Sequence, residues 1–252
     1  MRLLALKHTA RFITVALMLG VIAAAANAQA NHTKSTASSK AIKAAGLAKP
    51  EILEAEQLLA NLGYWTGPVD GTFDTASRYA LVAFQKVEGR ERSGRLNAAE
   101  LEALRNASRP TPMETGYAHV EADLDRQVLF VVDDSGAVSR VLPISSGNGE
   151  EFTSEGWTRR AVTPTGRFKV YRKVEGWRKA PLGSIYYPNY FLSGVAIHGS
   201  ASVPAKAASH GCIRIPVFAA KEFSELTPTG TVVIVHGGEA LAQTKHSATK
   251  AQ

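Results

Sequence analysis

The hydrophobic period of this chain changes once, across residues 106–116, and that change limits what each half can become. Ahead of it, apolar residues recur at helical spacing: Ile52, Ala55, Leu59 and Leu62, then Ala76, Ala80, Ala83, Phe84 and Val87, then Leu101 and Leu104. Pro50 suits a first helical position, and Gly63 and Gly89 fit just past helix ends. Asn97-Ala98-Ala99-Glu100 resembles a capping box. Gly67-Pro68 and Asp70-Gly71 are turn signals between the first two helices. Behind the change, extended runs dominate. Residues 128–132 and 137–144 read as two strands joined by Asp134-Ser135-Gly136. Residues 167–174 alternate, with Phe168, Val170 and Val174 on one side and Arg167, Lys169 and Lys173 on the other. Residues 195–198 and 231–235 are further strands, and a helix carrying Ala219, Phe223 and Leu226 starts at Pro216. The fold class expected is multidomain α and β: a small three-helix N-terminal domain, then a mainly-β domain, sandwich or barrel, with its site in loops at one edge.

The two ends are different in kind. Arg2, Lys7 and Arg11 precede an uncharged apolar run over residues 12–26, followed by Ala26-Asn27-Ala28 and Ala28-Gln29-Ala30. That order is a secretory signal with small-x-small cleavage sites. The run falls short of the ~20 residues a membrane span needs, so no stable membrane anchor is expected. The organisation is then a signal peptide over 1–30, a flexible spacer over 31–48, the helical domain over 49–107, a linker with Pro110 and Pro112 over 108–116, the β domain over 117–238 and a disordered tail over 239–252. The formal charge of +7 suits a polyanionic surface such as a cell wall. The basic residues are scattered along the chain and form no nucleic-acid motif.

The chemistry is concentrated in Ile197-His198-Gly199-Ser200 and Ser209-His210-Gly211-Cys212-Ile213-Arg214, which hold two of the seven histidines and the single cysteine. An exported chain meets oxidising conditions, where cysteines usually pair, and Cys212 has no partner in the chain. A thiol needs a base or nearby positive charge to react at neutral pH. His198 offers the base, and His210 and Arg214 flank the sulfur. A tight turn at Gly211 would aim the N–H groups of Gly211 and Cys212 at one point, as an oxyanion hole requires.

His-Gly-Ser, a short spacer and Ser-His-Gly-Cys-Ile-Arg resemble the signature of the L,D-transpeptidase (YkuD-type) catalytic domain, as do Thr163-Pro164-Thr165-Gly166 and Tyr190-Phe191. The resemblance covers residues 117–238. It implies covalent acyl transfer without a cofactor or metal: Cys212 as nucleophile, His198 as base, and the Gly199 carbonyl orienting the imidazole. Gly211 and His210 would serve the oxyanion or orientation, and Arg214, Ser209 and Ser200 would contact substrate. It further implies peptidoglycan stem peptides as donor and acceptor, and carbapenem-type β-lactams as inhibitors. Leu62-Gly63-Tyr64, Asp70-Gly71-Thr72-Phe73, Phe84-Gln85 and Ser93-Gly94-Arg95-Leu96 are similar to the peptidoglycan-binding domain often joined to cell-wall enzymes, departing from it at Asp74. Together these imply an exported protein of the periplasm or cell wall.

Other readings stay beside this one. Water in place of an amine would make the same site an L,D-carboxypeptidase. The helical domain alone could serve a non-catalytic wall-binding protein, or act only as a spacer. His198, His210, Cys212 and His236 are a conceivable metal set, but without HExxH or CxxC spacing.

Overall fold

The computed structural model describes residues 46–238. The expected signal peptide and tail, and the spacer up to residue 45, lie outside the described residues. Three helices come first: α1 (Lys49–Asn61), α2 (Thr75–Val87) and α3 (Ala98–Asn106). Each start is fixed by a side chain that accepts from a backbone N–H at the helix N-terminus. Glu51 accepts from the Ala48 N–H at 2.7 Å, and Asn97 accepts from Glu100 N–H at 3.0 Å. Asp74, the departure from the family pattern, caps α2 by accepting from Ala76 and Ser77 at 2.7 and 2.9 Å.

A buried carboxylate holds the helices together. Glu56 on α1 is fully buried and accepts from the Ser77 hydroxyl at 2.6 Å, from Gly71 N–H at 2.8 Å and from Asp70 N–H at 3.2 Å. Glu56→Leu removes both acceptor oxygens, and the three donors left behind cost about 3 kcal/mol together. The expected result is a clearly lower urea midpoint, followed by circular dichroism. An unchanged midpoint would mean that water replaces the carboxylate at no cost.

The β domain contains twelve strands: β1 (His119–Asp123), β2 (Val128–Val132), β3 (Val138–Pro143), β4 (Glu151–Ser154), β5 (Trp157–Arg160), β6 (Gly166–Lys169), β7 (Arg172–Lys173), β8 (Trp177–Ala180), β9 (Gly183–Leu192), β10 (Val195–Ser200), β11 (Ile213–Pro216) and β12 (Val232–His236). A short 3-10 turn leads into α4 (Ala220–Leu226). One sheet runs β3-β2-β1-β12-β6, with β1 and β12 parallel. The second runs β11-β10-β9-β7, with β8 also on β9 and with β10 and β11 parallel. β4 and β5 form a separate hairpin. Val120, Leu129, Val131 and Val233 of the first sheet share a core with Phe191, Ile197, Ile213 and Phe223 of the second layer. The architecture is a three-helix region followed by a mainly-β domain with mixed sheets.

Two features differ from the sequence reading. The alternating run 167–174 is not one strand. It breaks at Val170, whose N–H and carbonyl bond to Thr231 and Gly230, and Tyr171 then bonds to Tyr190, so β6 and β7 belong to different sheets. The helical domain, moreover, shares a core with the β domain. Leu59, Tyr64, Leu81, Phe84, Leu101 and Leu104 form one buried cluster with Val128, Phe130, Val132, Val138 and Val141. That explains why β2 reads Val-Leu-Phe-Val-Val without a polar face: helices cover one side and the second sheet the other. Residues 63–65 also bond to β3, through Val141 N–H to Gly63 O at 2.8 Å and Trp65 N–H to Val141 O at 3.2 Å.

Candidate active site

Strand register sets the site. β10 and β11 pair in parallel with Ile197 opposite Ile213 and His198 opposite Arg214. Ile197, Ile213 and Ile215 are fully buried in the core between the sheets. Side chains alternate along a strand, so His198, Arg214 and the preceding Cys212 emerge on the opposite face. All three line a cavity of about 660 Å³.

The imidazole is oriented by its own strand. His198 Nδ1 lies 2.9 Å from the Gly199 carbonyl oxygen. A carbonyl only accepts, so Nδ1 carries the hydrogen and Nε2 keeps its lone pair. Gly199 has no room for a side chain, since a Cβ there would come within 2.6 Å of the Ala220 Cβ. Burial pushes His198 below its ordinary pKa of 6.5; the Gly199 hydrogen bond opposes this and the Arg214 charge reinforces it. Burial also pushes the Cys212 thiol up from its ordinary 9.0, and the Ala196 backbone and Arg214 pull it partly back. Both dominant effects favour a neutral thiol beside a neutral imidazole, not a resting ion pair. The thiol donates to the Gly194 carbonyl at a long 3.7 Å.

The loop between β10 and β11 is braced by residues 145–148. The Ser146 carbonyl accepts from Ala208 and Ser209 N–H at 3.0 and 2.8 Å, and the Ser145 hydroxyl donates to Lys206 O at 2.8 Å. Thr163, from the Thr-Pro-Thr-Gly run, accepts from Gly147 N–H and donates to Gly211 O, both at 2.8 Å. Gly211 has φ +133°, and a Cβ there would sit 3.0 Å from the Val162 carbonyl.

The structure redistributes several sequence expectations. Ser209 lines the cavity, but its hydroxyl is committed to the loop, donating to Cys212 O at 2.5 Å and accepting from Gly211 N–H at 3.0 Å. Ser209 therefore shapes the loop instead of presenting its hydroxyl to substrate. The same bond occupies the Gly211 N–H, which is not free for an oxyanion as expected. Ser200 lines the cavity with its hydroxyl donating to Ser202 O. His210 is exposed on the cavity wall, packed edge-on against Phe152 at 4.8 Å. His236 lies on β12 in the other sheet, so the conceivable four-residue metal set is not assembled.

A cationic wall escaped the sequence reading. Arg159, Arg160, Arg172, Arg178, Lys179 and Arg214 line the cavity, against Glu155 as the only carboxylate among the described residues there. The basic residues are scattered in sequence, but hairpin β4–β5 and strands β7–β9 bring them to one opening. The pairs Arg159-Arg160 and Arg178-Lys179 were the available signal. Arg172 also stacks over the Tyr190 ring at 4.0 Å.

Comparison with known proteins agrees with this architecture. Residues 117–235 match YkuD, the L,D-transpeptidase catalytic domain, and residues 48–104 match PG_binding_1, a peptidoglycan binding domain. The solved L,D-transpeptidase from Xylanimonas cellulosilytica is 40% identical, with 74% of this chain and 93% of that chain covered and a TM-score of 0.71. An L,D-transpeptidase from Stackebrandtia nassauensis is 22% identical, with 79% of this chain and 97% of that one covered and a TM-score of 0.43. One from Mycobacterium smegmatis is 22% identical over 48% of this chain and 58% of that chain, with a TM-score of 0.40. A comparison with curated proteins gives no match. The two domains together imply cell-wall biogenesis and a location in the cell envelope. A chain 40% identical to a solved L,D-transpeptidase fragment over 93% of that fragment, with the catalytic-domain match on the half that bears His198 and Cys212, belongs to the L,D-transpeptidase family.

Proposed function

We propose that this protein is an exported cysteine acyltransferase that cross-links peptidoglycan stem peptides through a thioester on Cys212. The observation that carries the reading is the His198 imidazole, held by Gly199 with its free Nε2 on the same cavity as the thiol. His198 takes the thiol proton as Cys212 Sγ attacks the carbonyl of the third stem residue. The N–H of Cys212 is the donor for the oxyanion, because that of Gly211 is bonded to Ser209. The C–N bond to the terminal D-alanine breaks, and the leaving amine takes the proton from His198. An acceptor amine then attacks the thioester and gives its proton to His198, the C–S bond breaks, and His198 returns that proton to the Cys212 sulfur. The cationic wall favours stems that carry free carboxylates, and Arg214, which lines the same cavity as the sulfur, would hold one there.

Hydrolysis would use the same thioester, so the acceptor decides the reaction. Incubation with a stem tetrapeptide and excess amine acceptor is expected to give mainly cross-linked product by mass. Hydrolysed tripeptide as the dominant product at saturating acceptor would assign a carboxypeptidase instead.

A further inference from the structure

Lys86 is an unexpected residue at the centre of a core. It lies on the inner face of α2 and is 1% exposed, between the helices and the first sheet. Its ammonium group donates to the carbonyls of Gln127 and Ile144, both at 2.9 Å. Gln127 precedes β2 and Ile144 follows β3, so this side chain grips the ends of two strands from outside the β domain. Burial pushes Lys86 down to about 7, and the Arg92 charge adds to the effect. Packing alone would be better served by an apolar side chain.

A continuous set of hydrogen bonds leads from that grip to the nucleophile. Ile144 N–H donates to Gln127 O at 2.9 Å. The Gln127 amide brackets Ser146, donating to its hydroxyl at 2.7 Å and accepting its N–H at 2.9 Å. The Ser146 carbonyl accepts from Ala208 and Ser209, and the Ser209 hydroxyl holds both Gly211 and Cys212. A second contact reaches the same loop directly: Arg92, between α2 and α3, donates to the Ala205 carbonyl at 3.1 Å.

We propose that the helical domain is part of the catalytic apparatus, with Lys86 and Arg92 acting as positioning residues that hold the 205–212 loop in its reactive shape. The inference rests on Cys212 being the nucleophile. Adjacency does not itself establish coupling, so the test must read rate separately from stability. The full-length protein and its K86M, R92A and R92K variants are compared for acylation by imipenem. Maximal rate and half-saturation are measured per titrated thiol, alongside thermal midpoints. K86M and R92A are expected to lower the maximal rate about tenfold with half-saturation unchanged, as small misplacements of a reacting group do. R92K is expected to restore most of the rate, and the exposed R92A to keep the wild-type midpoint. Folded K86M and R92A proteins with wild-type rates overturn the positioning role. If K86M does not fold, R92A decides, and a rate within about twofold of wild type overturns it. A wild-type protein that takes no adduct on Cys212 overturns the nucleophile and this inference together, whereas a wild-type adduct with unchanged variants overturns this inference alone.

Discussion

Cys212→Ala is expected to abolish acylation, leaving an intact mass that does not change after incubation with a carbapenem while the wild-type protein gains one adduct. The two serines nearest the motif, Ser209 and Ser200, have hydroxyls engaged with the backbone of their own loop. Cys212→Ser keeps a nucleophilic atom in place but one far harder to ionise, so its rate is expected to fall by about 10³ or more. An adduct that persists in Cys212→Ala, or cross-linking that survives it, would place the nucleophile elsewhere, whereas a wild-type protein that neither gains an adduct nor cross-links would be left as a wall-binding protein.

His198→Gln is expected to lower kcat/KM by about 10²–10⁴, the usual share of a positioned general base. Its pH profile carries the sharper information. Burial lowers the imidazole below its ordinary 6.5, so the wild-type base is deprotonated through neutral pH and activity falls only on the acid side of that value. Burial raises the thiol above its ordinary 9.0, so without a base the sulfur ionises only in alkaline solution. The variant should therefore lose the acid limb, and its residual acylation should climb with pH beyond the ordinary thiol range. A variant that keeps both the wild-type rate and the wild-type acid limb would show that another group accepts the proton.

The parts of the molecule visible in the sequence are those whose chemistry is local. Helices α1–α3 announce themselves by apolar spacing and by Pro50 and Asn97 at their starts, and β2 by an unbroken apolar run. The pair His198 and Cys212 stands in short runs of unusual residue types, and strand pairing only had to close the gap between them. Strands without a buried face left no such mark. β5 is exposed along its length and β8 nearly so, and neither shows an alternation to read. β5 pairs locally with β4 and β8 with β9, so their arginines and lysine meet only because the fold brings two separate hairpins to one cavity. The split between β6 and β7 was hidden because the alternation of residues 167–174 continues across it. The family resemblance implies that Ser209 contacts substrate, but a motif shows a hydroxyl and not the direction in which it points.

The core that Phe84 and Leu104 share with Phe130 and Val141 has a mechanical meaning. Under the proposed function, a wall polymer bound by the helices would not hang from the enzyme on a slack leash. It would be held to the same packed core that supports the sulfur, so the strands joined would be those at one set distance from the point of attachment. Such a protein would work as a gauge, with the spacing of its bonds ruled by its own dimensions.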